Sequence, residues 1–212
     1  MAKLKSGALG HFSGALGNIV GSTYKGKGIV RMKPAQVTDR KTPAQEAQRM
    51  RFGLVQEFLK ISRPFIEIGY GKYSRDMSAV NAATSELLKN GVTGEFPALE
   101  LSFPDIMVAK GSLTPPRNAQ VSLLSETEVE VRWTVDSDRG SARPDDVPMV
   151  LLYNEVQKEI VSSVSAGQRN DGKVSFSIPE DYAGQNLHVW LAFRKTTSNE
   201  CSGSVHVGVV VP

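Results

Sequence analysis

Residues that carry chemistry are scarce in this chain. Its 212 residues include one cysteine, Cys201, and three histidines, His11, His188 and His206. A lone cysteine excludes a disulfide within the chain and supplies no ligand set for a structural metal. The histidines are scattered, with no HxxxH or HExxH spacing, so neither a zinc site nor a nucleophile–base pair is spelled locally. Long apolar runs are missing too: nothing approaches the ~20 residues that a helix needs to cross a bilayer. Lys3 and Lys5 precede an apolar stretch, but Gly7, Gly10, His11 and Gly14 interrupt it. That makes a poor signal peptide and implies retention in the cytoplasm. These absences argue against an enzyme, and no cofactor or metal is expected.

What the chain does have, at its front, is glycine and basic charge. SGALG at 6–10 recurs at 13–17. Glycine at this density opposes both helix and strand. The segment reads as an extended arm whose backbone, at Gly14, Gly17 and Gly21, approaches another surface closely, or else as a disordered tail. NIVGSTY and IVRM flank Lys25-Gly26-Lys27-Gly28 and read as a β-hairpin. Residues 1–75 hold fourteen lysines and arginines against Asp39, Glu46, Glu57 and Glu67, a net +10, whereas residues 76–110 carry −3 and residues 111–212 carry −4. Such polarity fits an acidic partner, either nucleic acid or protein, including the acidic part of a neighbouring subunit. Gly21 to Lys27 has the spacing of a phosphate-binding loop, but Gly28 stands where a magnesium-binding Ser or Thr belongs. Ile29-Val30-Arg31 also favours a strand where a helix should begin, which rejects a nucleotide site.

The strongest helical pattern is TPAQEAQRMRFGLVQEFLKISRPF, residues 42–65. Thr42 suits an N-cap, Pro43 the first turn and Gln45 a capping box, and Arg63-Pro64 is expected to end the helix. Ala47, Leu54, Phe58 and Ile61 share one face, with Met50 and Val55 beside them, while Gln45, Arg49, Gln56 and Lys60 form the opposite ridge. Arg51 projects into the apolar face and calls for a carboxylate, with Glu86, Glu95 and Glu100 as candidates unless another subunit supplies it. A second helix follows, capped by Asp76, striped by Val80, Ala83 and Leu87, and ended by Asn90-Gly91. LELSF (99–103) and IMVAK (106–110) read as short strands, and GSLTPP (111–116) is the best domain boundary.

Beyond that boundary, AQVSLL, TEVEVRWTV, PMVLLY, KEIVSSV, KVSFSI, NLHVWLAFR and SVHVGVVV form seven strand signals separated by turn-rich pieces. They predict an immunoglobulin- or fibronectin-like sandwich able to fold alone from about residue 117. Val131, Trp133 and Val135 share a strand face, Trp190 falls on the other sheet, and either tryptophan suits a core plug. Asp136, Asp138, Asp145 and Asp146 resemble a calcium loop only in part. The closing glutamate is missing, and Arg139 and Arg143 offset the charge, so solvated turns are the better account. The expected fold class is α+β in three parts. These are a Gly-rich basic arm with a hairpin (1–41), a helical region with short strands (42–110) and the Ig-like sandwich (111–212).

The GALG…GNIVG arm, the Y-K-G-K hairpin, the TP-Q-AQR-RF-LV-FL helix, NAATS-LKNGVTG and the IP-DYAG turn together resemble an uncharacterised family. Its members are encoded by Bacteroidota and by the phages and prophages that infect them. The resemblance implies a virion or appendage context and carries no catalytic or binding residues with it. Three functions are therefore carried forward. The first is a non-enzymatic structural protein, a phage head, neck or tail accessory component, oligomerising with itself or other virion proteins through Arg51, Leu54, Phe58, Gly14, Gly17 and Gly21. The second is a sequence-independent nucleic-acid-binding protein using Lys25, Lys27, Arg49 and Lys60 on phosphates. The third is an adhesin whose sandwich loops bind a host ligand.

Overall fold

A computed structural model describes residues 3–4, 11–24, 26–35, 39–73, 77–198 and 200–212. The chain forms two compact units, Met1–Thr42 and Pro43–Pro212. The first is an antiparallel sheet of β1 (Lys3–Leu4), β2 (Phe12–Leu16), β3 (Ile19–Tyr24) and β4 (Lys27–Met32), in that order. The hairpin expected around Gly26 is present, with Tyr24 opposite Lys27. A second tight hairpin joins β2 to β3 through Gly17-Asn18, where Gly17 takes a φ of +57° that suits glycine. The second SGALG copy is therefore a strand and not a loose arm; the first copy, at 6–10, lies outside the described residues. Glycine serves space here: a Cβ at Gly21 would sit 2.7 Å from the Phe12 ring, and one at Gly28 2.6 Å from the Cβ of His11. The Gly21–Gly28 segment is a strand–turn–strand with no helix after it, which excludes a phosphate-loop geometry.

The second unit opens with α1 (Pro43–Gly69), which runs straight through Pro64. The expected stop is thus overturned. Proline forfeits one helical hydrogen bond and crowds the preceding turn, at about 3 kcal/mol. Burial of Phe65, Ile66 and Tyr70 beyond it outweighs that cost. Gly69 lets the helix end press on the following chain, since a Cβ there would lie 2.7 Å from the Val108 carbonyl oxygen. The buried face is Val55, Phe58, Leu59, Ser62, Phe65, Ile66 and Gly69, rotated and displaced toward the C-terminus from the expected one. In α2 (Ala79–Asn90) the cap is Ser78, whose side chain accepts from the Asn81 amide; Asp76 lies outside the described residues. β5 (Val92–Thr93) pairs with β6 (Glu100–Leu101), shorter than the expected strand. Residues 106–110 form no strand. Their amides bond Ser204 Oγ, at 2.9 Å from Val108 and 3.3 Å from Ala109, and the Gly69 carbonyl, at 3.0 Å from Lys110, so the segment is satisfied without a ladder.

All seven expected sandwich strands are present: β7 (Gln120–Ser125), β8 (Glu128–Arg132), β9 (Val147–Asn154), β10 (Glu159–Ser163), β11 (Lys173–Ser177), β12 (Leu187–Arg194) and β13 (Val205–Val210). They form a three-stranded sheet, β11-β8-β7, and a four-stranded sheet, β10-β9-β12-β13, giving an α+β fold with a fibronectin-like sandwich. The central strands of the four-stranded sheet, β9 and β12, are buried on both faces. Val150, Leu152, Val189, Leu191 and Phe193 meet Val129, Val131 and Trp133 inside the sandwich. Met149, Leu151, Tyr153, Trp190 and Ala192 point the other way, onto Val55, Phe58, Leu59, Phe65 and Leu87. Trp133 thus plugs the sandwich, while Trp190 plugs the layer between sheet and helices. The boundary expected at 111–116 falls inside the second unit, because helices and sandwich share this second core.

Candidate functional site

Among the described residues the buried side-chain polar atoms are bonded within the fold, except Arg194 Nε. Arg169 is fully buried at one end of the sandwich, where its guanidinium donates to Asp136 Oδ1 at 2.8 Å, Asp146 Oδ2 at 3.4 Å and the Thr114 carbonyl at 3.0 Å, and stacks 4.1 Å from the Phe193 ring. Two carboxylates of the partial calcium loop are therefore counter-ions to an arginine. His188 on β12 and His206 on β13 share a hydrogen bond, Nδ1 to Nε2 at 3.2 Å, beneath the stacked Phe103 ring. Burial depresses both to a pKa of about 4, with the neighbouring His188 adding to the effect at His206, so the pair is neutral at pH 7. Burial pushes the Cys201 thiol up to about 11, removing it as a nucleophile. A surface cavity of about 640 Å³ is lined by Lys72, Tyr73, Gly111, Ser112, Glu200 and Cys201. Its one carboxylate, Glu200, already accepts from Lys195 at 2.5 Å and Lys72 at 3.3 Å. Among the described residues no group of three His, Cys, Asp or Glu side chains can hold a metal, and no helix is long and apolar enough to cross a membrane.

The surface that stands out is the N-terminal sheet. Strand register places Leu16, Ile19 and Met32 side by side, with Gly14, Gly21 and Val30 in the next row and Phe12 over Gly21. One face is thus apolar, yet Leu16 is 58% exposed, Val30 57% and Met32 76%. The other face is mixed, carrying Ala15, Val20, Ile29, Tyr24, Lys27 and Arg31. β4 is also an edge strand, exposed at every position. Among the described residues no strand pairs with the outer edge of β4, and an open edge beside exposed apolar side chains is the pattern of a surface that pairs with another chain. Residues 1–42 hold eight lysines and arginines against Asp39, a net +7, while residues 43–212 carry −4.

The residues expected at contacts are distributed unevenly. Gly14, Gly17 and Gly21 belong to the N-terminal sheet and shape it. Phe58 is spent inside the second unit, edge-on to Tyr153 at 5.2 Å, and offers nothing to a partner. Arg51 and Leu54 are half-buried. Glu86 pairs with Lys110 at 2.7 Å, not with Arg51, and no carboxylate meets Arg51 among the described residues. The reason is that the first turns of α1 stand clear of the core, so the guanidinium keeps its water. Lys25 lies outside the described residues; Lys27 is exposed on β4, and Arg49 and Lys60 are exposed on α1, interleaved with Glu46 and Glu57. The β2–β3 hairpin and its apolar face were missed in the sequence, although Gly17-Asn18 between two apolar runs is a turn signal.

No curated protein matches the chain. Among solved structures it is similar to the third fibronectin III domain of human KIAA0343 protein, at 12% identity and a TM-score of 0.36, over 56% of this chain and 92% of that one. It is also similar to the fn3 domain of human contactin 1, at 10% identity and a TM-score of 0.29, over 48% of this chain and 74% of that one. A family model described as a family of unknown function (DUF6266) matches residues 11–208, nearly the whole chain, so the protein belongs to that family.

Proposed function

We propose that the protein is a non-enzymatic structural component of a homo-oligomeric assembly, with its N-terminal sheet as the subunit contact. The observation that supports this reading is the exposed apolar face of Leu16, Val30 and Met32 beside a β4 edge that pairs with no strand among the described residues. A small sheet with one apolar face needs something packed on it for independent stability. Each of these side chains is worth ~1.5–3 kcal/mol on full burial. A second copy is the fitting partner, because the −4 of residues 43–212 complements the +7 of residues 1–42. A bacteriophage virion, as a head, neck or tail accessory protein, is the setting that the sequence resemblance implies. Detecting the chain in purified particles tests that setting.

Light scattering on the full chain tests the contact. The wild type should weigh as several chains, and Val30→Asp with Met32→Asp should reduce the mass while leaving the melting of the second unit unchanged. An unchanged mass refutes the proposal. The net +7 also supports a second reading, in which the sheet binds nucleic acid without sequence preference. Affinity should then fall by about one logarithmic unit per phosphate contact for each tenfold rise in salt, and Lys27→Glu should flatten that slope. A chain that binds no DNA at low salt removes this second reading.

A further inference from the structure

The side of α1 opposite its buried face has a symmetric charge pattern. At 100° per residue, Glu46, Arg49, Met50, Gly53, Gln56, Glu57 and Lys60 occupy one third of the helix circumference, centred on Gly53. Apart from half-buried Gln56, all of them are exposed. Seven residues to either side of Gly53 stand Glu46 and Lys60; four residues to either side stand Arg49 and Glu57. The pattern inverts in sign about its centre.

Nothing among the described residues explains Gly53. Its φ is not left-handed, and a Cβ built there meets nothing within 4 Å. Glycine inside a helix is disfavoured relative to alanine, so this position loses stability with no compensating fit. A close backbone approach from outside would supply the missing reason.

We propose that α1 pairs antiparallel with α1 of a second copy across a two-fold axis at Gly53. This proposal rests on the assembly reading and adds a second, self-complementary contact to it. An isologous contact matches each residue with its counterpart across the axis. Glu46 then faces Lys60 of the second copy, and Arg49 faces Glu57, each pair occurring twice. Met50 faces Gln56, and the two Gly53 backbones meet at the crossing, where a methyl group would hold the helices apart. Glu57 already accepts from Lys158 at 2.6 Å, and its second carboxylate oxygen leaves room for the arginine. A nucleic acid fits this face poorly, since its cations alternate with carboxylates.

Sedimentation velocity on the full chain carrying Val30→Asp and Met32→Asp, with the sheet contact removed, isolates the helix pair. That chain should sediment as a dimer. Glu46→Lys, which sets like charges together twice, should weaken the dimer about tenfold or more, and Glu46→Lys with Lys60→Glu should restore it. Gly53→Ala should raise the melting temperature of the monomer and abolish the dimer. A monomer in the Val30→Asp, Met32→Asp background, a charge swap without effect, or a Gly53→Ala chain that is both more stable and still dimeric overturns the proposal. If the wild type and the sheet variant have the same mass, the sheet reading fails instead, and the two failures stay separate.

Discussion

Cutting the chain at residue 111 should destroy the sandwich as a folded object. The cut removes the helices from the outer face of the four-stranded sheet and exposes Met149, Leu151, Tyr153 and Trp190, all essentially buried in the whole chain. At ~1.5–3 kcal/mol each, these four account for roughly 6–12 kcal/mol, less roughly 10–40% for burial that persists in the unfolded chain. That is comparable to the ~5–15 kcal/mol by which whole domains are stable. The fragment also loses the 2.9 Å hydrogen bond from Trp190 Nε1 to the Ile106 carbonyl. Urea unfolding and amide exchange on residues 43–212 and 111–212 make the comparison. The longer chain should unfold cooperatively with protected amides on β9 and β12, and the shorter should be unprotected or aggregate through the bared face. A 111–212 fragment whose unfolding midpoint equals that of 43–212 would refute the shared core.

Three further outcomes are expected. Arg169→Met strands two carboxylates at the sandwich end and should cost about 3–5 kcal/mol, a fall of roughly 10 °C or more in melting temperature. Arg139→Ala, touching Asp136 from the surface at 3.4 Å, should cost under about 1 kcal/mol; equal losses would contradict the assignment. His188 and His206 titrate near pH 4 when folded and near 6.5 when unfolded, so the unfolded chain binds more protons between these values. Stability should therefore be full above pH 6.5 and fall as the pH drops toward 4. The hydrogen-bonded carboxylates Glu130 and Glu200, held below their ordinary value, begin to cost stability only below about 4.5. A urea midpoint that is flat from pH 7 to 5, or whose fall survives His206→Gln unaltered, would exclude the histidine pair as its cause. Cys201 should resist thiol reagents at pH 8 until the chain unfolds, and rapid labelling of the native protein would show that its burial is wrong.

The sandwich was legible because each strand is short, alternating and bounded by turn residues. The layer above it was legible only in hindsight. PMVLLY and the run from Leu187 to Phe193 are apolar at nearly every position, which marks strands buried on both faces. The start of α1 is legible from Thr42 and Pro43, whereas its end is not, because Pro64 signals a stop that the burial of Phe65, Ile66 and Tyr70 overrides. Extending the pattern to Phe65, Ile66 and Gly69 moves the buried face off Ala47 and Leu54, and with it goes the need to pair Arg51. Arg51→Ala and Arg49→Ala should accordingly differ little in melting temperature. The N-terminal sheet was the least legible part, because glycine propensity argues against strands. Gly14 sits opposite Gly21 and takes a φ of +115°, and at Gly21 the ring of Phe12 lies too close for a side chain.

Amide hydrogen exchange of β3 and β4 as a function of protein concentration tests the account most directly. The apolar face and the β4 edge are exposed in the single chain, so these amides should exchange readily when dilute. They should gain protection in step with the rise in mass measured by light scattering, and Val30→Asp with Met32→Asp should abolish the gain in protection and limit the rise in mass to that of the α1-paired dimer. Equal protection of residues 19–32 at every concentration, with no growth in mass, would show that this sheet is complete by itself and is not a subunit contact.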